Sequence, residues 1–288
     1  MEEKAAMQGK VVVITGGTSG IGQVSAEKLA AMGARIVLVA RSKSRGEATL
    51  NRLRKLAPGQ QHSIYYGDVS RLDDLNRLVV EIRSAEPRID VLINNAGAMF
   101  GQRQVNEDGL ELTFATNHMS YFVLTLGLRE QLLAAGSARV VNTSSHAHYR
   151  GKIDFNHLQF EHDYKAFSAY CSSKLYNVLF TRALARRLAG TGVTTNSLHP
   201  GFVNTRFGDA TGGWTSRIFG VMKMFAISPE KGAETIIYLA SSDEVAKTSG
   251  LYFYKCKAVE PSKLAMDDAV AERLWQETEK LAHLATSP

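Results

Sequence analysis

Val11-Val12-Val13-Ile14-Thr15-Gly16-Gly17-Thr18-Ser19-Gly20-Ile21-Gly22 is the stretch that decides the fold. Four branched apolar residues in a row read as a strand buried on both faces, as in a parallel sheet. Glycines then turn the chain, and helical periodicity begins at Ile21. Gly16 permits the tight turn, Gly20 lets the backbone approach a ligand, and Gly22 allows close packing of helix on strand. A pyrophosphate at this turn, held by Thr18, Ser19, Gly20 and Ile21, would meet free N–H groups at the positive end of the helix dipole. A lone glycine pattern is weak, but a strand on one side and a helix on the other make it a dinucleotide fingerprint.

Outward from that turn, short β-branched runs alternate with amphipathic helical patterns. Strands are expected at 11–14, 35–39, 62–66, 91–94, 139–143, 194–199 and 250–253. Helices are expected near 21–32, 44–56, 72–84, 108–134, 167–189, 229–241 and 268–285. This alternation predicts a single α/β domain over 1–288: a Rossmann fold with a doubly wound parallel sheet of about seven strands, order 3-2-1-4-5-6-7, and helices on both faces. No repeat or linker divides the chain. The stretches 146–165 and 201–228 lack periodicity and follow strands, which places them beyond the carboxyl edge of the sheet. The second carries Phe202, Phe207, Trp214, Ile218, Phe219, Met222, Met224 and Phe225, and reads as a lid over an apolar substrate. A buried cap helix is the competing reading.

Composition removes several classes of function. The chain has 288 residues, 44% hydrophobic and 22% charged, with a formal net charge of +6. Its Lys and Arg are interspersed with acids and form no aromatic-studded basic stripe, which argues against nucleic acid. The two cysteines, Cys171 and Cys256, support neither a metal cluster nor a disulfide framework and point to a reduced cytoplasmic setting. Residues 1–8 have no apolar core like that of a signal peptide, and no stretch approaches the ~20 apolar residues of a membrane span.

The second strand bears on the type of dinucleotide. It ends in Ala40-Arg41, with Lys43 and Arg45 close behind. An Asp or Glu there would bind a ribose 2′-hydroxyl, whereas a guanidinium suits a 2′-phosphate, so NADP(H) is the expected cofactor. Asp68, with Val69 beside it after the third strand, is placed to meet the adenine; capping the next helix is its plainer role.

Tyr170 and Lys174 lie in Tyr170-Cys171-Ser172-Ser173-Lys174, four residues apart and therefore on one helix face. An ammonium beside a phenol favours the phenolate and lowers a pKa that is about 10 in water. Such a pair supplies a proton donor and acceptor for carbonyl–alcohol chemistry. His146, His148, His157 and His162 flank the same side at irregular spacing. They read as loop residues, not a metal site, and His199 as the end of its strand.

Together these residues resemble the short-chain dehydrogenase/reductase family over the whole chain from about Lys10. The resemblance implies that Asn94-Asn95-Ala96-Gly97 supports the sheet and that Asn95, Ala96 and Gly97 border the cofactor. It implies that Val140-Val141-Asn142-Thr143-Ser144-Ser145 delivers a catalytic serine, Ser145, with Ser144 as the fallback. Pro200-Gly201 with Val203 and Thr205 is similar to the segment holding the nicotinamide carboxamide. Asn117 takes the position of a helix asparagine whose bound water links Lys174 to solvent. Asn117-His118, Ser144-Ser145-His146-Ala147-His148 and Ala271-Glu272-Arg273-Leu274-Trp275 resemble the retinol-dehydrogenase-like branch. Members of that branch acting on membrane retinoids often carry an N-terminal anchor, absent from this sequence.

The expected activity is therefore NADP(H)-dependent interconversion of a lipophilic aldehyde or ketone and its alcohol, as in a carbonyl reductase. The catalytic set is Asn117, Ser145, Tyr170 and Lys174, with Tyr170 and Lys174 also touching the cofactor. The alternative is a non-catalytic NADP(H)-binding redox sensor or scaffold, which has no need of all four. The resemblance also implies a homodimer or homotetramer built on helices 108–134 and 167–189, although the branch includes monomers.

Overall fold

The computed structural model describes residues 6–201 and 227–282. The proposed lid, with Val203 and Thr205, lies almost wholly outside them. Eight strands form one sheet in the order β3-β2-β1-β4-β5-β6-β7-β8. They are β1 (Val11–Thr15), β2 (Arg35–Ala40), β3 (Ser63–Tyr66), β4 (Val91–Asn94), β5 (Arg139–Thr143), β6 (Thr194–Leu198), β7 (Tyr252–Tyr254) and β8 (Lys257–Val259). β1 to β7 are parallel, as expected.

β8 is the strand that the sequence did not announce. It pairs antiparallel with β7 through a two-residue turn, Lys255-Cys256, with φ of 48° and 59°. Such turns favour Asn and Gly, which tolerate positive φ, and neither residue is present. All three β8 residues are exposed, so no apolar pattern marks them either.

Strand alternation divides the core between two faces. Val12, Ile14, Ile36, Leu38, Ile93 and Val141 point to the face covered by α1 (Gly20–Ala31) and a helix at Pro229–Ser241. Val13, Val37, Leu92 and Val140 point to the other face. That face is covered by α3 (Leu72–Ala85), a helix over 112–127, a 22-residue helix at Ala166–Arg187 and a last helix at Asp268–Leu281. The helix α2 (Lys43–Leu56) flanks β2 and β3. In chain order we call the four later helices α4 (112–127), α6 (Ala166–Arg187), α7 (Pro229–Ser241) and α8 (Asp268–Leu281), with α5 (Arg129–Ala134) following α4.

The expected helix over 108–134 is broken. Asn106 and Gly109 (φ 75°) make a turn, and Glu111 caps the helix start by accepting from the N–H groups of Thr113 and Phe114. After Leu112–Phe114 comes a π-helical turn, Ala115–Met119, before regular winding resumes at Ser120–Gly127. In that turn the Ser120 N–H reaches back to the Ala115 carbonyl, and the Thr116 carbonyl accepts from Ser120 Oγ at 2.6 Å. Looser winding of this kind often sits at functional sites.

His118 and Trp275, which carry the branch resemblance, are core residues. His118 Nε2 lies 3.0 Å from Thr278 Oγ1, and burial pushes its pKa down to about 3. Trp275 packs edge-on to Phe122 at 4.8 Å, stacks with Phe180 at 5.8 Å and lies under the Arg187 guanidinium. These contacts dock α8 on α4 and α6. Phe122→Ala should therefore cost about 3–5 kcal/mol in denaturant unfolding, because it empties a fully buried ring site that α8 needs.

Candidate active site

The carboxyl ends of β1, β2, β4, β5 and β6 open into one cleft of about 1630 Å³, large enough for a dinucleotide and a substrate. Along its floor lie Gly16, Thr18, Ser19, Gly20 and Ile21 from the first turn, and Asn95, Ala96 and Gly97 after β4. Ser145, Tyr170, Lys174, Pro200 and Gly201 face the same cleft, as do Arg41, Asp68 and Val69 at its far end.

The glycine turn has steric reasons for its composition. Gly16 has φ 67°, and a Cβ there would lie 2.9 Å from the Ala96 Cα. Gly20 has φ 53°. A Cβ on Gly22 would come within 2.4 Å of both the Gly16 carbonyl oxygen and Asn95 Nδ2, so this glycine packs against the turn and Asn95 more than against a strand. Gly17 is also constrained, since a Cβ would meet Leu38 at 2.8 Å. Ser19 precedes α1 without a side-chain capping bond, which leaves the first-turn N–H groups facing the cleft. These are the residues and the geometry that a pyrophosphate needs.

Asn94 and Asn95 brace the sheet, as expected. Asn94 Nδ2 donates to Thr125 Oγ1 and to Asn142 Oδ1, each at 2.9 Å. Asn95 Nδ2 donates to the Thr15 and Gly16 carbonyls, while Thr15 Oγ1 accepts from the N–H groups of Asn95 and Ala96. The glycine turn is thus tied to the end of β4.

At the far end, Arg41 Nη1 pairs with Asp68 Oδ2 at 3.6 Å, and the Arg41 side chain is 69% exposed. A loose pair of this kind is worth little and is readily given up for a better anion. The other Asp68 oxygen accepts from Ser70 N and Oγ in a local turn ahead of α3, but Asp68 does not cap that helix: the Leu72 N–H donates to Asp108 Oδ2 instead. Arg45 and Arg52 also line this end, and the Arg52 contribution was invisible in sequence. Arg52 comes from mid-α2 and is held by Glu27 and Thr49.

The serine, tyrosine and lysine converge. Ser145 hydrogen-bonds the Tyr170 hydroxyl, and Lys174 Nζ stands 5.7 Å from the centroid of the Tyr170 ring. Nζ donates to the Thr143 carbonyl at 3.2 Å. That same oxygen also accepts from Asn177 Nδ2 and from the Tyr121 hydroxyl. Gly97 leaves room for the amine: a Cβ there would sit 3.3 Å from Nζ. Ser144 is turned away, with its hydroxyl donating to the Lys174 carbonyl inside the protein. Between the two serines, geometry favours Ser145.

The electrostatics differ from the sequence expectation in one respect. Burial pushes the Tyr170 phenol up to about 12, although the Ser145 hydrogen bond pulls it the other way. Burial also pushes the Lys174 amine down to about 7. Desolvation of two enclosed groups therefore outweighs the cationic help that the four-residue spacing promised. Tyr170 is held as a phenol, a proton donor, beside an amine near its own titration point.

Asn117 lies in the π turn and is fully buried. Its Oδ1 accepts from the Ala98 N–H at 2.7 Å, and its Nδ2 donates to the Ala98 carbonyl and to Ser173 Oγ, each at 2.9 Å. The side chain therefore clamps the segment after Gly97 to the helix of Lys174. Among the described residues no group of three or more potential metal ligands is found. No helix there is long and apolar enough to cross a membrane. Cys171 and Cys256 are unpaired.

A parallel sheet, a glycine turn and a proton-handling cluster at one edge define a dinucleotide-binding α/β protein. Residues 10–215 match the family described as short chain dehydrogenase, and the chain belongs to this family of oxidoreductases, which use NAD(P)(H). It is 39% identical to human retinol dehydrogenase 13 over 287 residues, covering 98% of this chain and 87% of the relative. Human retinol dehydrogenase 12 is 39% identical over 269 residues, covering 93% and 85%. Among solved structures, a protein of uncharacterised function from Mycobacterium paratuberculosis aligns with TM-score 0.77 and 31% identity, covering 96% and 94%. A protein described as a short chain dehydrogenase from Escherichia coli CFT073, complexed with NADPH, shares the fold at TM-score 0.69 and 19% identity, covering 88% and 99%.

Proposed function

We propose that this chain interconverts a lipophilic aldehyde or ketone and its alcohol with NADP(H). The observation that carries the reading is the convergence of Ser145, Tyr170 and Lys174 at the cleft floor. When bound, the nicotinamide group supplies or accepts the hydride. Thr18, Ser19, Gly20 and Ile21 would hold the pyrophosphate, with Asn95, Ala96 and Gly97 along the ribose and Pro200 and Gly201 near the carboxamide.

The rest of the chemistry belongs to the protein. Ser145 Oγ holds the substrate oxygen beside the Tyr170 hydroxyl. Tyr170 gives its proton to that oxygen in reduction and takes one back in oxidation. The Lys174 ammonium, when charged, stabilises the phenolate that forms. Asn117 keeps the Gly97 segment and the Lys174 helix in register. The exposed rings of Tyr149 and Phe167 at the mouth of the cleft suit an apolar substrate.

NADP(H) is favoured because Arg41 stands exposed at the end of β2 with only a weak partner. Arg41→Ala should raise KM for NADPH roughly tenfold or more and leave NADH kinetics nearly unchanged, because a charge-assisted bond to the 2′-phosphate is lost. Equal losses with both cofactors would remove this preference. The function as a whole is tested by NADPH oxidation against aldehydes and ketones of graded chain length. Rates rising with apolar length support it; no turnover with any of them, despite tight NADPH binding, would favour a binding protein instead.

A further inference from the structure

Ser145 is held from behind by residues that never reach the cleft. Its carbonyl oxygen receives three donors: the His148 N–H at 3.0 Å, the His148 ring Nδ1 at 2.8 Å and the Tyr252 hydroxyl at 3.2 Å. His148 is fully buried, and Tyr252 almost so. The other ring nitrogen, Nε2, lies 3.1 Å from the Ser262 backbone N–H. A backbone N–H only donates and a carbonyl only accepts, so the two partners dictate the tautomer: Nε2 bare, Nδ1 protonated. Burial, which pushes the His148 pKa down to about 4, keeps the ring neutral and that tautomer intact.

The consequence falls on the Ser145 hydroxyl. Ser145 is extended (φ −158°, ψ 156°), and its Oγ accepts from the Ala147 N–H at 3.2 Å at the head of a short 3-10 turn, His146–Arg150. With the carbonyl pinned on one side and Oγ tethered on the other, the side chain is held within reach of the Tyr170 hydroxyl at the cleft. A 1 Å error in such a group is expensive in catalysis.

We propose that His148 and Tyr252 are positioning residues that aim the Ser145 hydroxyl, and that through Ser262 and β7 the far edge of the sheet sets the geometry of the reaction. This rests on the reading that Ser145 holds the substrate oxygen. No local pattern marks this role, because His148 reads as one of several loop histidines, while Ser262 lies 114 residues from it and Tyr252 lies 107 from Ser145.

A mutant cycle tests the inference and separates it from that reading. Ser145→Ala, His148→Phe, Tyr252→Phe, His148→Asn and the double variant Ser145→Ala/His148→Phe are compared for kcat, KM of the carbonyl substrate and NADPH affinity. His148→Phe should lower kcat about tenfold and Tyr252→Phe about threefold, with NADPH affinity unchanged. His148→Asn, which keeps a donor for the Ser145 carbonyl, should recover most of the loss. The double variant should be no slower than Ser145→Ala, since there is no hydroxyl left to aim. A full loss from Ser145→Ala combined with wild-type rates in His148→Phe and Tyr252→Phe overturns the positioning role alone, as does an additive double variant. A Ser145→Ala enzyme of normal rate overturns the underlying reading as well. If His148→Phe does not fold, Tyr252→Phe, which removes one hydroxyl, decides the matter in the same cycle.

Discussion

Tyr170→Phe is expected to reduce kcat by roughly 10²–10⁴ while NADPH affinity stays within about twofold. The ring and its packing survive the change; only the exchangeable proton is lost. Since burial holds this phenol at about 12, it is protonated at every ordinary pH, so the residual rate should show no new dependence on pH. Stopped-flow hydride transfer and fluorescence titration of NADPH measure the two quantities separately. Near-normal turnover in this variant would falsify the assignment of Tyr170 as the proton donor.

Lys174→Met should act in opposite directions on rate and on stability. The rate falls, on the order of 10²-fold, because the phenolate left by proton transfer loses its neighbouring charge. Stability rises near neutral pH. The amine titrates at about 7 in the folded protein against an ordinary 10.5, so between those values the unfolded chain binds the extra proton. Stability of the wild type therefore climbs as pH rises from about 7 toward 10.5, and the buried amine costs most at or below pH 7. Methionine removes that cost, and the Thr143 carbonyl keeps Asn177 and Tyr121 as donors. The expected gain at pH 7 is on the order of 1–4 kcal/mol, shrinking toward pH 10. Thermal melts across that range check it; a variant less stable than wild type at pH 7 would show that the amine contributes net stability instead.

Much of this site was legible from short-range pattern. The glycine turn, its flanking strand and helix, and the four-residue spacing of Tyr170 and Lys174 are local facts, and the structure brings them together as read. The place of Arg41 was equally plain, since it follows a strand whose carboxyl end borders the cleft. What stayed hidden depends on long-range enclosure. The spacing of Tyr170 and Lys174 shows a cation near a phenol but not how deeply both are buried, and burial decides the direction of both pKa values. The β7–β8 hairpin escaped because Lys255 and Cys256 adopt positive φ without the residues that usually advertise it. His148 escaped because its meaning lies in Tyr252 and Ser262.

The π turn at Ala115–Met119 leaves one surplus residue in a helix whose neighbours advance by about 100° each. Shortening the chain there by a single residue would restore even winding and make the segment more comfortable on its own. It would also dial Asn117 round the cylinder by that angle, unhooking Ala98 and Ser173, or else swing Phe122 out from under Trp275. The wider turn is thus a phase adjuster, allowing one rod to serve a polar clamp at its start and an aromatic seat at its end, two demands that uniform coiling could not meet together.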